Sequence, residues 1–316
     1  MSSQRLSPPA LFALVGALVL LIVAVDGPAG AVDATGGSDA IGLSAFAAIV
    51  LGLVEGLTEY LPVSSTGHLL VAQEILGLGG TEEADLALET YAICIQAGAI
   101  LAVVFLYWGR IRQMIDGVLG RSDEGRTVAM AVIVAFIPTA IIGLFIQDFV
   151  RDHLFGVGPI AAAWLVGGLG ILGLTRARVL ERAGIEFDAI TTRQALAIGG
   201  LQAISMWPGV SRSLTTIVAG VLVGLSLRAA VEFSFLLGLI TLSAATAYEG
   251  LRHGSGLIDT FGVATPLLGL AVAFVSAVIA VRWMVSWLEQ RSLNVFGYYR
   301  IAVGLATFAA LGAGWL

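Results

Sequence analysis

Apolar runs recur along almost the whole chain, near residues 42–61, 66–79, 88–108, 127–147, 158–175, 194–207, 210–226, 230–248, 262–285 and 298–315. A helix needs about 20 apolar residues to cross a bilayer, so the longer runs predict transmembrane helices. Two neighbouring pairs break this pattern. Runs 42–61 and 66–79 are separated only by Pro62-Val63-Ser64-Ser65, and runs 194–207 and 210–226 only by Pro208-Gly209-Val210. Each pair reads as a re-entrant hairpin that enters and leaves by one face. Irregular backbone at membrane depth is tolerated where protein buries it or where it lines a watery cavity.

A further run, residues 11–25, precedes the Gly/Ala/Asp-rich stretch 26–40. It is short for a span, and Ala29-Gly30-Ala31 fits a small-residue cleavage site. A cleavable signal peptide and an uncleaved anchor are equally good readings, and both leave residues 26–40 outside. The expected organisation is therefore a leader or anchor with linker over 1–40 and one membrane-embedded domain over 41–316.

Composition supports the bilayer reading. The 316 residues are 58% hydrophobic and 12% charged, with a mean hydropathy of +0.96, against about 25% charged in a soluble domain. All 16 basic residues are arginines, which excludes a P-loop lysine and a Schiff base. Cys94 is the only cysteine, which excludes an intrachain disulfide and a cysteine metal cluster. A net charge of −6 argues against nucleic-acid binding.

The arginines also test the topology. With 26–40 outside and the first hairpin returning outside, thirteen of the sixteen fall on or near the inner face, Arg300 among them. Arg151 and Arg252 fall outside, and Arg212 lies within the second hairpin. This skew is what the positive-inside rule predicts. It gives two halves, about 41–180 and 190–316, each a hairpin plus three spans, entered from opposite faces. Inverted repeats with interrupted helices place a site near the midplane.

The polar residues of the hairpins are the candidate chemistry. Glu55 and Glu59 share one helical face, and carboxylates at membrane depth usually mark a functional cavity. Pro62 ends the first helix, and Ser64, Ser65 and Thr66 are natural N-caps for the second. A helix start also offers free N–H groups to phosphate. His68 lies one turn after Ser65, within reach of a proton on that serine or on a phosphate oxygen. Arg212, flanked by Ser211, Ser213, Thr215 and Thr216, needs an anion from Glu55, Glu59 or a ligand. Gln96 and Gln202 read as inter-helix hydrogen-bonding residues.

The stretch E-G-L-T-E-Y-L-P-V-S-S-T-G-H at 55–68, with P-G-V-S-R-S-L-T-T at 208–216, resembles the undecaprenyl-diphosphatase, or bacitracin-resistance, family. The resemblance covers about residues 41–316. Leu214 and Thr215 stand where the family pattern has Gly and Ala, which puts the local geometry of the second hairpin in question. The resemblance implies an all-α polytopic membrane enzyme with inverted repeats and a site open to the outer face of the plasma membrane. It implies hydrolysis of a polyprenyl diphosphate to the monophosphate carrier lipid used in wall assembly, with a divalent cation, Mg²⁺ or Ca²⁺, in attendance.

On that basis the expected catalytic residues are Ser65, His68, Glu59, Glu55 and Arg212. Ser65 is the expected nucleophile, with His68 as its proton carrier or as the nucleophile in its place. Glu55 and Glu59 are the expected cation ligands, or the groups that orient His68 and Arg212. Ser64, Thr66, Gly67, Ser211, Ser213 and Thr216 are the expected substrate-binding set. The expected partners are the lipid, the bilayer and, as an open option, a second copy of the chain. Two rival readings are a polyprenyl-phosphate flippase with the same midplane cradle and the membrane phosphatases with a P-S-G-H motif. The second wants a lysine-led motif, which this lysine-free chain lacks.

Overall fold

The computed structural model describes residues 43–181, 183–289 and 291–316. The expected leader and linker over 1–40 lie outside them. The described chain forms eleven α-helices. They are α1 (Ala45–Thr58), α2 (Ser65–Ile75), α3 (Glu82–Leu106), α4 (Trp108–Val118), α5 (Asp123–Leu154) and α6 (Val157–Arg176) in the first half. In the second half they are α7 (Thr192–Gln202), α8 (Arg212–Leu222), α9 (Leu227–Phe261), α10 (Ala264–Leu288) and α11 (Asn294–Gly312). Six of them, α3, α5, α6, α9, α10 and α11, are long and apolar enough to cross a membrane. The chain is thus an all-α polytopic membrane protein.

The helix starts follow from local chemistry. Ser44, Thr81 and Ser122 each accept from the backbone N–H three residues on, at 3.1, 3.2 and 3.0 Å. Thr191 and Gln194 form a reciprocal capping box at the start of α7. These side chains satisfy N–H groups that a helix leaves unpaired at its first turn. Helix α4 has no counterpart among the apolar runs. Its sequence W-G-R-I-R-Q-M-I-D-G-V is half polar, which hides it from a hydropathy reading.

Both short pairs, α1–α2 and α7–α8, are far below span length, and each is followed by three long helices. Each pair leans on the other half. Helix α1 lies along α10, and α7 lies along α5. Glycine permits both approaches: a Cβ on Gly52 would strike the Gly269 carbonyl, and one on Gly199 would strike that of Ala135. A hydroxyl closes each crossing, Ser276 Oγ to Gly52 O at 3.4 Å and Thr139 Oγ1 to Gly199 O at 2.6 Å. Small residues commonly let membrane helices approach in this way. The second helix of each pair begins after a serine with left-handed backbone, Ser64 at φ 74° and Ser211 at φ 77°.

Several ion pairs join elements of the bundle. Arg110 reaches Glu232 at 2.7 Å and Asp188 at 3.2 Å, joining α4, α9 and the inter-half linker. Arg151 reaches Glu89 at 3.0 Å, joining α5 and α3. Arg300 departs from the sequence expectation. It is fully buried in α11 and does not belong with the inner-face arginines.

The glycine crossing yields a paired test. Gly199→Ala is expected to lower the unfolding midpoint in detergent, at a cost of about 1–3 kcal/mol from overpacking. Gly200→Ala, where a Cβ meets nothing within 4 Å, is expected to hold or raise it. Thermal unfolding of the two purified variants checks this.

Candidate active site

Pro62 has no N–H and disfavours helix at the residue before it, so α1 ends at Thr58 and the chain turns before α2. The turn leaves its carbonyls short of helical donors: Leu61 O takes a backbone N–H from Val63 at 2.7 Å, Ser64 O takes a long one from His68 at 3.4 Å, and Pro62 O and Val63 O take none. Four consecutive ones are met by four side chains. Ser213 Oγ donates to Leu61 O at 2.8 Å, and Arg300 Nη1 donates to Pro62 O at 3.3 Å. Trp164 Nε1 donates to Val63 O at 2.8 Å, and His68 Nδ1 donates to Ser64 O at 2.6 Å. Arg300 Nη2 also donates to Gly209 O at 2.8 Å and Ala163 O at 2.9 Å. One guanidinium therefore ties the turn of the first hairpin to that of the second.

On the other side of this turn lies a charged relay. Glu59 Oε1 accepts from Arg212 Nη2 at 3.1 Å, and Glu59 Oε2 accepts a very short hydrogen bond from Ser65 Oγ. The Arg212 and Glu59 side chains are only 10% and 6% exposed. Arg212 Nη1 donates to Ser234 O at 3.1 Å, and the guanidinium lies 5.3 Å from the Tyr60 ring centroid. Three buried polar atoms here have no partner: Arg212 Nε, a donor, Glu55 Oε1, an acceptor, and the Tyr60 hydroxyl.

Two cavities meet at this relay. The first, about 510 Å³, carries Glu59, Ser65, Ser211 and Arg212 at one end and Phe136, Leu144 and Leu242 beyond them. The second, about 580 Å³, is lined by Glu55, Gln73, Glu74, Asp85, Glu89 and Arg151. Ser65, Thr66, Gln96 and Glu249 line both. Both walls are more apolar than polar, and the second carries more acidic side chains.

The expected site residues divide accordingly. Ser64, Ser65, Thr66, Glu59, Ser211 and Arg212 line the first cavity, and Glu55 lines the second. Ser64 starts α2 without making a side-chain cap bond. Four residues are placed otherwise than expected. The His68 ring nitrogens are taken by Ser64 O and by Tyr299 Oη at 2.8 Å, so the ring does not reach Ser65. Gly67 packs face to face with Trp164, where any Cβ would clash. Ser213 and Thr216 are wholly buried, the first on Leu61 O and the second on Ser234 Oγ at 2.6 Å. Leu214 sits buried in an ordinary helical turn whose N–H meets Ser211 Oγ, so it does not distort the hairpin.

Sequence reasoning missed Arg300, Tyr299, Trp164 and Ser234. Only Arg300 and Tyr299 carry a signal, as polar groups opening an apolar run. Gln202 behaves as expected, donating to Thr139 Oγ1 at 2.9 Å. Among the described residues no group of three or more His, Cys, Asp or Glu is placed to hold a metal ion. Both oxygens of Glu59 are already bonded, while Glu55 Oε1 has no partner.

A family model described as the bacitracin resistance protein BacA matches residues 48–306. An undecaprenyl-diphosphatase of Sorangium cellulosum is 43% identical over 262 residues, 82% of this chain and 84% of that protein. Undecaprenyl-diphosphatase 2 of Shewanella oneidensis is 40% identical over 264 residues, 83% of this chain and 96% of that protein. An undecaprenyl-diphosphatase of Verminephrobacter eiseniae is 37% identical over 269 residues, 85% of this chain and 96% of that protein.

The buried pair predicts an asymmetry in stability. Arg212→Met alone strands the Glu59 carboxylate and is expected to cost about 3–5 kcal/mol. Adding Glu59→Gln is expected to restore much of that loss. Unfolding midpoints of the wild type, the single and the double variant check it.

Proposed function

The chain belongs to the bacitracin resistance protein BacA family, and on that premise we propose that Ser65, Glu59 and Arg212 perform its reaction. The protein is a membrane hydrolase that converts undecaprenyl diphosphate to the monophosphate carrier lipid and inorganic phosphate. Its activity supports carrier-lipid recycling for wall synthesis and bacitracin resistance. The observation that carries the assignment of roles is the unbroken Ser65–Glu59–Arg212 hydrogen-bond chain on a cavity wall.

In this reading the diphosphate occupies the charged end of the first cavity and the prenyl tail follows its apolar wall. Ser65 Oγ attacks the terminal phosphorus, and its proton passes to Glu59 Oε2, the atom it already touches. The bond from phosphorus to the bridging oxygen breaks, and the prenyl monophosphate leaves. Neutralising Glu59 frees the Arg212 fork for the phosphoryl oxygens, where charge develops. Arg212 Nε is the spare donor for this purpose. Water then attacks the phosphoserine, Glu59 relays the proton back to Ser65, and inorganic phosphate departs.

Glu55 and the diphosphate oxygens together suit a divalent cation, since Mg²⁺ binds through one or two carboxylates plus phosphate. Such a cation would supply neutralising charge at the diphosphate. The acidic second cavity leads to Glu55 and supports this reading. The arginine skew and the acidic rim support a plasma-membrane orientation with the site toward the outer face. The matched crossings of the two halves support an inverted repeat.

Phosphate release from a polyprenyl diphosphate in detergent tests the reaction and separates it from lipid flipping without hydrolysis. Ser65→Ala, Glu59→Gln and Arg212→Ala are each expected to lower kcat by about 10³-fold or more. Rapid quenching with labelled substrate is expected to place phosphate on Ser65. A label on His68, or near-normal turnover by Ser65→Ala, would overturn the assignment. EDTA is expected to abolish turnover in the wild type, and Mg²⁺ or Ca²⁺ to restore it.

A further inference from the structure

Tyr299 and Arg300 on α11, Trp164 on α6 and His68 on α2 all approach the first hairpin from the side away from the cavities. None of them lines either cavity. Three give a hydrogen bond to the turn, on the successive carbonyls of Pro62, Val63 and Ser64. The fourth, Tyr299, holds the ring that serves Ser64. Its hydroxyl meets His68 Nε2 at 2.8 Å, and the two rings lie nearly parallel at 8° with centroids 5.6 Å apart. Trp164 closes the other side of the imidazole at 4.7 Å.

The hydrogen bonds fix the tautomer. A carbonyl only accepts, so Nδ1 carries the proton that binds Ser64 O. Nε2 is then the acceptor, and the Tyr299 hydroxyl donates to it. A ring so engaged has no lone pair directed at Ser65. Ser64 is the residue that needs holding. Its φ of 74° is a left-handed conformation that residues other than glycine rarely adopt. Relaxing it would rotate Ser65, the next residue, off Glu59.

We infer that Tyr299, His68, Trp164 and Arg300 form a rear brace that locks the Pro62–Ser64 backbone and thereby aims Ser65 at Glu59. In this brace His68 is a positioning residue that works through the Ser64 carbonyl. The inference rests on Ser65 being the nucleophile. Misplacing a reacting group by about 1 Å costs on the order of 10²-fold in rate, so the brace acts on kcat and leaves substrate binding in the cavities alone.

The test compares three variants by phosphate release and by rapid-quench labelling. Trp164→Phe keeps the aromatic bulk and removes the donor to Val63 O. It is expected to lower kcat about 10-fold with KM within about 2-fold. Tyr299→Phe is expected to do the same. His68→Asn, whose amide N–H can replace Nδ1 toward Ser64 O, is expected to keep kcat within about 10-fold of wild type, with an unchanged pH profile of kcat/KM. His68→Ala is expected to fall about 10²-fold. Wild-type kcat in Trp164→Phe and Tyr299→Phe, with the label still on Ser65, would overturn the brace alone. Loss of His68→Asn to the level of His68→Ala, or loss of one limb of its pH profile, would show that the imidazole moves a proton. A label on His68 would instead overturn the serine assignment itself. If His68→Ala does not fold, the other three variants still decide the matter.

Discussion

Four consecutive backbone carbonyls at a broken helix, two of them met by side chains alone, are the constraint on which this structure turns. A bilayer interior offers no water to an exposed C=O, and each unmet group costs several kcal/mol. Breaking the chain at Pro62 therefore obliges the protein to bring donors to Leu61, Pro62, Val63 and Ser64. They come from α8, α11, α6 and α2. That obligation draws the second hairpin and the last helix onto the first hairpin. The close approach that results sets Arg212 against Glu59.

The two buried arginines divide the labour that follows. Arg300 spends its donors on carbonyls of three separate segments and has no carboxylate partner among the described residues. Arg212 sits against a carboxylate that also touches a hydroxyl. A planar fork with several donors suits both tasks, bridging fixed acceptors in one place and gripping phosphate oxygens in the other. Lysine, a point charge on a flexible stem, suits neither, and the chain contains none. The same separation appears in the cavities. One joins the Glu59–Arg212 pair to an apolar wall, and the other carries the carboxylates of Glu55, Glu74, Asp85 and Glu89.

Much of this was legible in the sequence because bilayer rules are severe. Each apolar run from residue 42 onward corresponds to a helix, and the two proline turns separate short helices as the run lengths require. That Arg212 needs an anion is also legible, since a lone charge at that depth is costly, while the choice of Glu59 over Glu55 or a ligand comes from the fold. What was not legible depends on direction. His68 lies a turn after Ser65, yet its ring folds back to the carbonyl four residues before it. Arg300 looks like an inner-face residue because sequence gives its place in a run, not the depth to which the helix sinks. Ser213 and Thr216 read as ligands because hydroxyls beside an arginine look available, and only the tertiary fold shows that Leu61 and Ser234 claim them. Helix α4 escaped because half of it is polar.

Arg300 also sets an order of events during synthesis. It serves a carbonyl 238 residues earlier in the chain, so the turn at Pro62 leaves the ribosome long before its donor exists. Until α11 emerges, that turn must keep its carbonyls in the wet interfacial zone of the membrane or borrow temporary partners. A chain halted before α11 lacks the one guanidinium that ties the Pro62 turn to the Gly209 turn.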